Sequence, residues 1–338
     1  MRGRLARIAR GAVLAASALL IAAIGVWGAL LLAYAAPGKG LAHTALVAGF
    51  ALSAVWTLIA LFVRRWRWPA IGVYAVLCAG LAVLWTSLEP TNDRDWQTDL
   101  AVLAYATIDG DKVTVHNIRN FDYRSETDYT PAYYDKTFDL EKLRSVDILT
   151  SYWMGPAVAH AFVSFGFAGD EYLTVSIEVR KPKGEAYSTL KGLFRQYELI
   201  YVVADERDAI RLRTNYRRDP PEDVYIYRAN GSSWDVRRLF KEYMERINAL
   251  RTQPEFYNTL TTNCTTNIWT NAEVNRVAGR VPFSWKVLAS GYVPEYLYEQ
   301  GRLETMGLSF PELQQQVHVN ARAQAADKAA DFSRRIRM

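Results

Sequence analysis

The sequence predicts an α+β membrane protein: three N-terminal transmembrane helices followed by a soluble domain with an antiparallel sheet and packed helices. Three observations predict it. Long uncharged apolar runs fill the first quarter of the 338 residues. Short alternating runs punctuated by turn residues follow from about Leu100 to Tyr227. Helical periodicity then takes over the last third.

The apolar runs are Gly11 to Ala36, Leu41 to Val63 and Ala70 to Leu88. Each is near the roughly 20 residues needed to cross about 30 Å of hydrocarbon. A cleaved signal peptide is the wrong reading, because the first run exceeds an h-region of about 7–15 residues and two more spans follow it. Arg2, Arg4, Arg7 and Arg10 precede the first span, and Arg64, Arg65 and Arg67 lie between the second and third. Positive-inside counting puts the N-terminus and that loop in the cytoplasm and everything after about Pro90 in the periplasm, across a bacterial inner membrane. The chain therefore divides into a membrane region (1–90), a periplasmic domain (91–310) and a polar C-terminal tail (311–338) that reads as weakly structured. A net charge of only +5, with scattered basic residues, argues against nucleic-acid binding.

In the soluble part, Leu100 to Thr107 and Lys112 to Ile118 read as strands around an Asp109-Gly110 turn. Val146 to Trp153 is strand-like. Val158 to Phe167 and Tyr172 to Val179 form a hairpin across Ala168-Gly169-Asp170, and Tyr197 to Val203 and Val224 to Tyr227 add further strands. Tyr129 to Asp135 is aromatic and irregular. Asp205-Glu206-Arg207-Asp208 reads as a solvated charge cluster. Ser232 or Ser233, with Asp235, caps a helix to about Leu250; Asn263 or Cys264 starts another to about Val277; Pro294 to Gln300 is a short third.

Chemistry concentrates at Cys264. The other cysteine, Cys78, lies inside the third apolar run, so no disulfide within the chain is expected, and a free thiol in an oxidising compartment needs a reason to exist. Cys264 follows a polar, turn-prone lead-in and opens a helical pattern. A helix N-terminus favours thiolate and offers N–H groups to an oxyanion. The bland alternative is a small buried residue. A thiol nucleophile needs a base. His116 lies near an early strand end and His318 in the tail, whereas His160 sits among small and apolar residues of a strand, as a general base or as a hydrogen-bonded core histidine. The next strand offers Ser176 and Glu178 to orient it; Glu178 faces the same side as His160 if the connecting loop has odd length, and a surface ion pair is its other reading. Asn120, Asp122 and Tyr123 are polar and aromatic enough to line a substrate cleft, or simply form a turn, and Tyr257 and Asn263 flank the cysteine as further substrate-binding candidates. No Walker loop, dinucleotide fingerprint or spaced metal set is present.

A histidine on a strand followed by Asn263-Cys264 at a helix start resembles the permuted papain-like thiol enzymes, among them lecithin:retinol acyltransferase and related phospholipid acyltransferases. The strings HNIRNFDYRSETDY, AHAFVSFGF, SIEVRKPKGE, YELIYVVADERDAIRLR and PEFYNTLTTNCTTNI resemble the family of the Lnb N-terminal periplasmic domain. That resemblance implies a permuted papain-like domain acting on lipoproteins, by moving an acyl chain from the glyceryl ester to the N-terminal amine. It implies Cys264 as nucleophile, His160 as base and Glu178 as orienting acid, with no metal or organic cofactor, and a membrane lipid or lipoprotein as partner. The competing expectations are a papain-like peptidase or amidase in the periplasm, and a non-enzymatic membrane assembly protein.

Overall fold

A computed structural model describes residues 2–274 and 282–337 and divides the chain into two compact units. The first holds residues 1–90 together with 188–196. Its helices are α1 (Arg2–Ala35), α2 (Leu41–Ala60) and α3 (Arg67–Ser87), each long and apolar enough to cross a membrane. Leu19, Val26, Leu52, Ile59, Val73 and Val83 point outward and exposed, an arrangement stable only in an apolar surrounding. Inside, a methyl group at Gly28 would collide with Leu81 and Phe50, so the close approach of the helices requires glycine there. Phe194 packs on Tyr34, with ring centroids 5.6 Å apart, and the Arg195 guanidinium lies 4.3 Å from the Trp85 ring centre.

The second unit holds residues 91–187 and 197–338. Its strands are β1 (Tyr105–Asp109), β2 (Lys112–Arg119), β3 (Asp122–Tyr123), β4 (Tyr129–Thr130), β5 (Tyr133–Asp139), β6 (Leu143–Tyr152), β7 (Ala159–Phe167), β8 (Glu171–Arg180), β9 (Glu198–Ala204) and β10 (Asp223–Arg228). β3 and β4 pair with each other; the rest form one sheet in the order β1-β2-β9-β8-β7-β6-β10, with β5 also on β2. The sheet is antiparallel except where β2 meets β9 at Arg119 and Ala204. The expected strand from Leu100 starts later, at Tyr105, because Thr98–Leu100 forms a 3₁₀ turn. The aromatic stretch from Tyr129, read as irregular, supplies β4 and the start of β5.

Both faces of the sheet are buried, and alternation assigns them. Val163, Phe165, Leu173, Val175, Ile177, Leu199, Tyr201 and Val203 pack with the apolar stripe of α5 (Ser233–Thr252), namely Val236, Phe240, Tyr243, Met244 and Ile247. Ser232 and Asp235 form the expected capping box of α5. Phe162, Ile200, Val202 and Ala204 face the other way. They pack with α4 (Glu206–Arg211) and with residues of the C-terminal stretch.

That stretch is not a loose tail. After α6 (Cys264–Val274), α7 (Trp285–Leu288) and α8 (Val293–Glu299), the chain forms α9 (Phe310–Gln316), α10 (Asn320–Ala326) and α11 (Phe332–Arg335). Leu313, Ala323, Phe332 and Ile336 are buried. A few apolar side chains at helical spacing anchor an otherwise polar segment. The expected end of the helix that starts at Cys264, residues 275–277, lies outside the described residues.

Candidate functional site

The polar run before Cys264 builds a cap. The Asn258 side chain accepts the N–H groups of Leu260 (2.9 Å) and Thr261 (3.0 Å), turning the chain. Asn263 then caps α6: its Oδ1 accepts the Thr266 N–H at 3.0 Å, while the Thr266 hydroxyl accepts the Asn263 N–H at 2.9 Å. Its amide donates to the Thr259 carbonyl at 2.8 Å. Cys264 is left as the first residue of an 11-residue helix, at the positive end of the dipole.

His160 is the second residue of β7. The β7–β8 hairpin closes through three residues, 168–170, with Phe167 opposite Glu171 and Phe162 opposite Ser176. The odd loop length puts His160, Ser176 and Glu178 on the same side. Ser176 Oγ donates to Glu178 Oε1 at 2.7 Å. Its oxygen must therefore accept from His160 Nε2, which lies 2.7 Å from it and 3.1 Å from Glu178 Oε1. With Nε2 carrying the proton, Nδ1 is the nitrogen left for the thiol, and Cys264 is hydrogen-bonded to His160.

The charges follow from this arrangement. Burial pushes the His160 imidazole down, but the Glu178 charge and hydrogen bonds with Cys264 and Glu178 outweigh it and lift the group to about 9. Burial pushes the Cys264 thiol up. A hydrogen bond from His160, its positive charge and the Ala161 N–H outweigh that and hold the thiol below its usual range. Burial also opposes ionisation of Glu178, yet His160 and Arg213 hold its carboxyl well below the ordinary value. The arrangement thus favours a charged imidazole beside the thiol, with a carboxylate behind it. Both cysteines are free.

Ser176, offered by the sequence beside Glu178, is the bridging group between ring and carboxylate; sequence reasoning did not single out Arg213, whose Nη2 donates to Glu178 Oε1 at 2.9 Å. Arg213 sits 3 % exposed on a π-helical turn, Leu212–Tyr216. No sequence spacing points from it to Glu178.

The other candidates divide. Tyr257 lies within electrostatic reach of the thiol: burial first, then the Cys264 charge, raises its hydroxyl. Asn263 is a cap, so its side chain is committed to helix geometry. Tyr123 is buried, its hydroxyl 3.3 Å from Asp208 Oδ1, and Asp122 pairs with Lys328 at 3.0 Å. Asn120 donates its N–H to the Ala132 carbonyl at 2.9 Å. Of the three, only Tyr123 belongs to a structural cluster around Asp208, which also takes Arg119 Nη2 (2.7 Å) and the Phe121 N–H (2.8 Å). Asp208 holds the Tyr123 hydroxyl inward, whereas the Asp122 side chain stays exposed. The solvated reading of Asp205–Asp208 fails: Glu206 and Asp208 are fully buried, each paired with an arginine, and Asp205 caps α4. His116 pairs with Asp135 (2.7 Å) and His318 with Asp223 (3.1 Å), both on exposed surface. Among the described residues no group of His, Cys, Asp and Glu is arranged to hold a metal ion. Two open clefts, of about 580 and 440 Å³, adjoin Pro221; neither is lined by Cys264 or His160.

Comparison with curated proteins and with solved structures returned no match. Comparison with protein families did: the model of the Lnb N-terminal periplasmic domain matches residues 129–291, a span that contains His160, Ser176, Glu178, Arg213 and Cys264. With its three apolar helices, the chain is a membrane protein with a periplasmic domain. Over residues 129–291 it is similar to the Lnb N-terminal periplasmic domain family.

Proposed function

We propose that this protein is a thiol acyltransferase anchored in the bacterial inner membrane, N-terminus in the cytoplasm, that moves an acyl chain on lipoproteins from a glyceryl ester to the N-terminal amine. The observation that carries the reading is the Cys264–His160–Glu178 constellation, a thiol at a helix start hydrogen-bonded to an imidazole that a carboxylate holds charged. The membrane helices support a lipid-borne substrate, since the chain that carries the site is itself tethered to a bilayer.

The chemistry closes on the chain's own groups. Cys264 Sγ attacks the ester carbonyl carbon, and the oxyanion rests on N–H groups of the first turn of α6. The carbon–oxygen bond to glycerol breaks as the His160 imidazolium gives its proton to the leaving alkoxide. The acceptor amine attacks the thioester, neutral His160 takes the amine proton, and the thiolate leaves, restoring the pair. Glu178 keeps the ring oriented throughout. This sequence requires no metal or organic cofactor.

The test expresses the protein and its Cys264→Ala variant in a strain lacking lipoprotein N-acyltransferase activity and reads the N-terminal lipopeptides of a reporter lipoprotein by mass spectrometry. One acyl chain displaced from glyceryl to amine, and absent with the variant, is the expected result. Unchanged diacylglyceryl peptides from a folded, abundant protein overturn the reading and leave a periplasmic cysteine hydrolase or an assembly protein.

A further inference from the structure

We infer that Arg213 is a positioning residue of this site: through Glu178 and Phe162 it holds the His160 ring in the orientation that faces Cys264. The inference rests on the reading of Cys264 and His160 as a reactive pair, and not on the identity of the substrate.

Arg213 touches both supports of the imidazole. Its Nη2 donates to Glu178 Oε1, the same oxygen that accepts from Ser176 and His160. Three donors converging on one carboxylate oxygen leave it a single orientation. The guanidinium carbon also lies 4.6 Å from the centre of the Phe162 ring, and that ring stacks on His160 with centroids 5.6 Å apart and planes 21° from parallel. The arginine is itself fixed, since Nη1 donates to the Ala209 carbonyl at 2.8 Å and Nε lies 3.8 Å from Glu222 Oε2. Glu222 in turn accepts from Arg217 (2.6 Å) and from Ser151, the residue opposite His160 on β6. The turn that carries Arg213 has the wide π geometry, often found at functional sites.

An alternative role for a buried arginine is charge balance alone, and the two differ in what they do to titration. The charged and titratable groups around the ring are Cys264 and Tyr257 on one side, Glu178 on β8, and Arg213 with Glu222, Arg217 and Arg119 behind it. If Arg213 positions Glu178, its loss lets the carboxylate swing from Nε2. His160 then gives up its proton at lower pH, and the thiolate, less supported, forms at higher pH. The window in which the ion pair exists narrows from both ends. If Arg213 only balances charge, its loss removes a like charge from the neighbourhood of His160 and the upper end stays or rises.

The experiment follows the rate of Cys264 alkylation by iodoacetamide against pH on the full chain in detergent, with Cys78→Ala as background. The parent should show thiolate reactivity below the ordinary thiol range and an upper step at about 9. Arg213→Gln should lower the upper step by about one pH unit or more. Arg213→Lys, which keeps a charged donor, should restore most of it. Should Arg213→Gln not fold, Arg213→Met, which keeps the buried volume against Phe162 without the donor, carries the same reading. An upper step unmoved or raised in a folded variant overturns the inference while leaving the reactive pair standing. A parent thiol with an ordinary pH profile sinks the pair itself, and the positioning role with it.

Discussion

Two buried charge clusters sit on the same face of β7, four residues apart, and they do opposite things. At His160 a carboxylate, a serine and an arginine surround an imidazole. At Ser164 the hydroxyl donates to Glu206 at 2.6 Å, and the Arg337 guanidinium bridges Glu206 and Asp147, with Nη2 at 2.5 and 2.8 Å. Arg228 closes on Asp147 from the other side, and Tyr172 lies under Arg337, ring centre 3.7 Å from the guanidinium carbon. Both clusters answer a buried carboxylate with a cation. In the second every cation is a guanidinium, which stays charged at any working pH, and Asp147 and Glu206 are sealed from solvent. In the first the central cation can release its proton, and the Glu178 side chain keeps 29 % of its exposure. One arrangement therefore holds the fold together. The other, with a proton to give and an open side, can work on a substrate.

The sharpest way to break the comparison is at its closed end. Arg337→Met leaves two buried carboxylates short of a partner, and removing one partner of a buried pair costs about 3–5 kcal/mol. The expected outcome is a fall of that size in the denaturation midpoint measured as free energy, with the Cys264 alkylation profile unchanged in whatever protein remains folded. A shifted alkylation profile would show that the two clusters are coupled and that the division drawn here is false.

The open end responds in pH instead of stability. Burial alone drives the His160 pKa down, and the Glu178 charge is what overcomes it. With that charge removed in Glu178→Gln, the proton leaves at lower pH. The upper limit of acyl transfer and the upper step in alkylation should both move from about 9 to about one unit or more lower, while the midpoint of unfolding moves little. An upper limit that stays in place would assign the raised value to Cys264 alone.

How much of this was legible in the sequence follows from the range of each interaction. The transmembrane helices, the hairpin and the α5 capping box rest on local patterns, and each stands close to where its pattern puts it. Cys264 was visible because its cap is written in adjacent residues. Glu178 hung on one quantity, the parity of a loop, and three residues decided it. Arg213 was not legible: it lies 35 residues from Glu178 in a segment that also carries Arg207, Arg211, Arg217 and Arg218. Asp208 and Glu206 read as solvated because their partners, Arg119 and Arg337, stand 89 and 131 residues away. The C-terminal stretch read as a tail because its anchors, Leu313, Ala323, Phe332 and Ile336, are few, and only the sheet face they cover reveals what they do.

The smallest expected effect separates a cap from a binding group. Asn263 adjoins Cys264 and reads in the sequence as a substrate ligand, yet its oxygen accepts from Thr266 and Thr265 and its amide donates to Thr259. A cap lost to alanine costs about 0.5–2 kcal/mol, and Asp or Ser in its place recovers most of it, because the Thr266 N–H is the orphan helix donor to be satisfied and the bond to the Thr259 carbonyl lies outside the helix. Asn263→Asp should therefore keep both stability and activity, whereas Asn263→Ala loses about 1 kcal/mol and only the activity that fraying of the first turn removes. A folded Asn263→Asp protein that binds or turns over substrate poorly would mean that the amide itself meets the substrate. The start of α6 would then belong, with His160 and Glu178, to the working cluster and not merely to the scaffold beneath it.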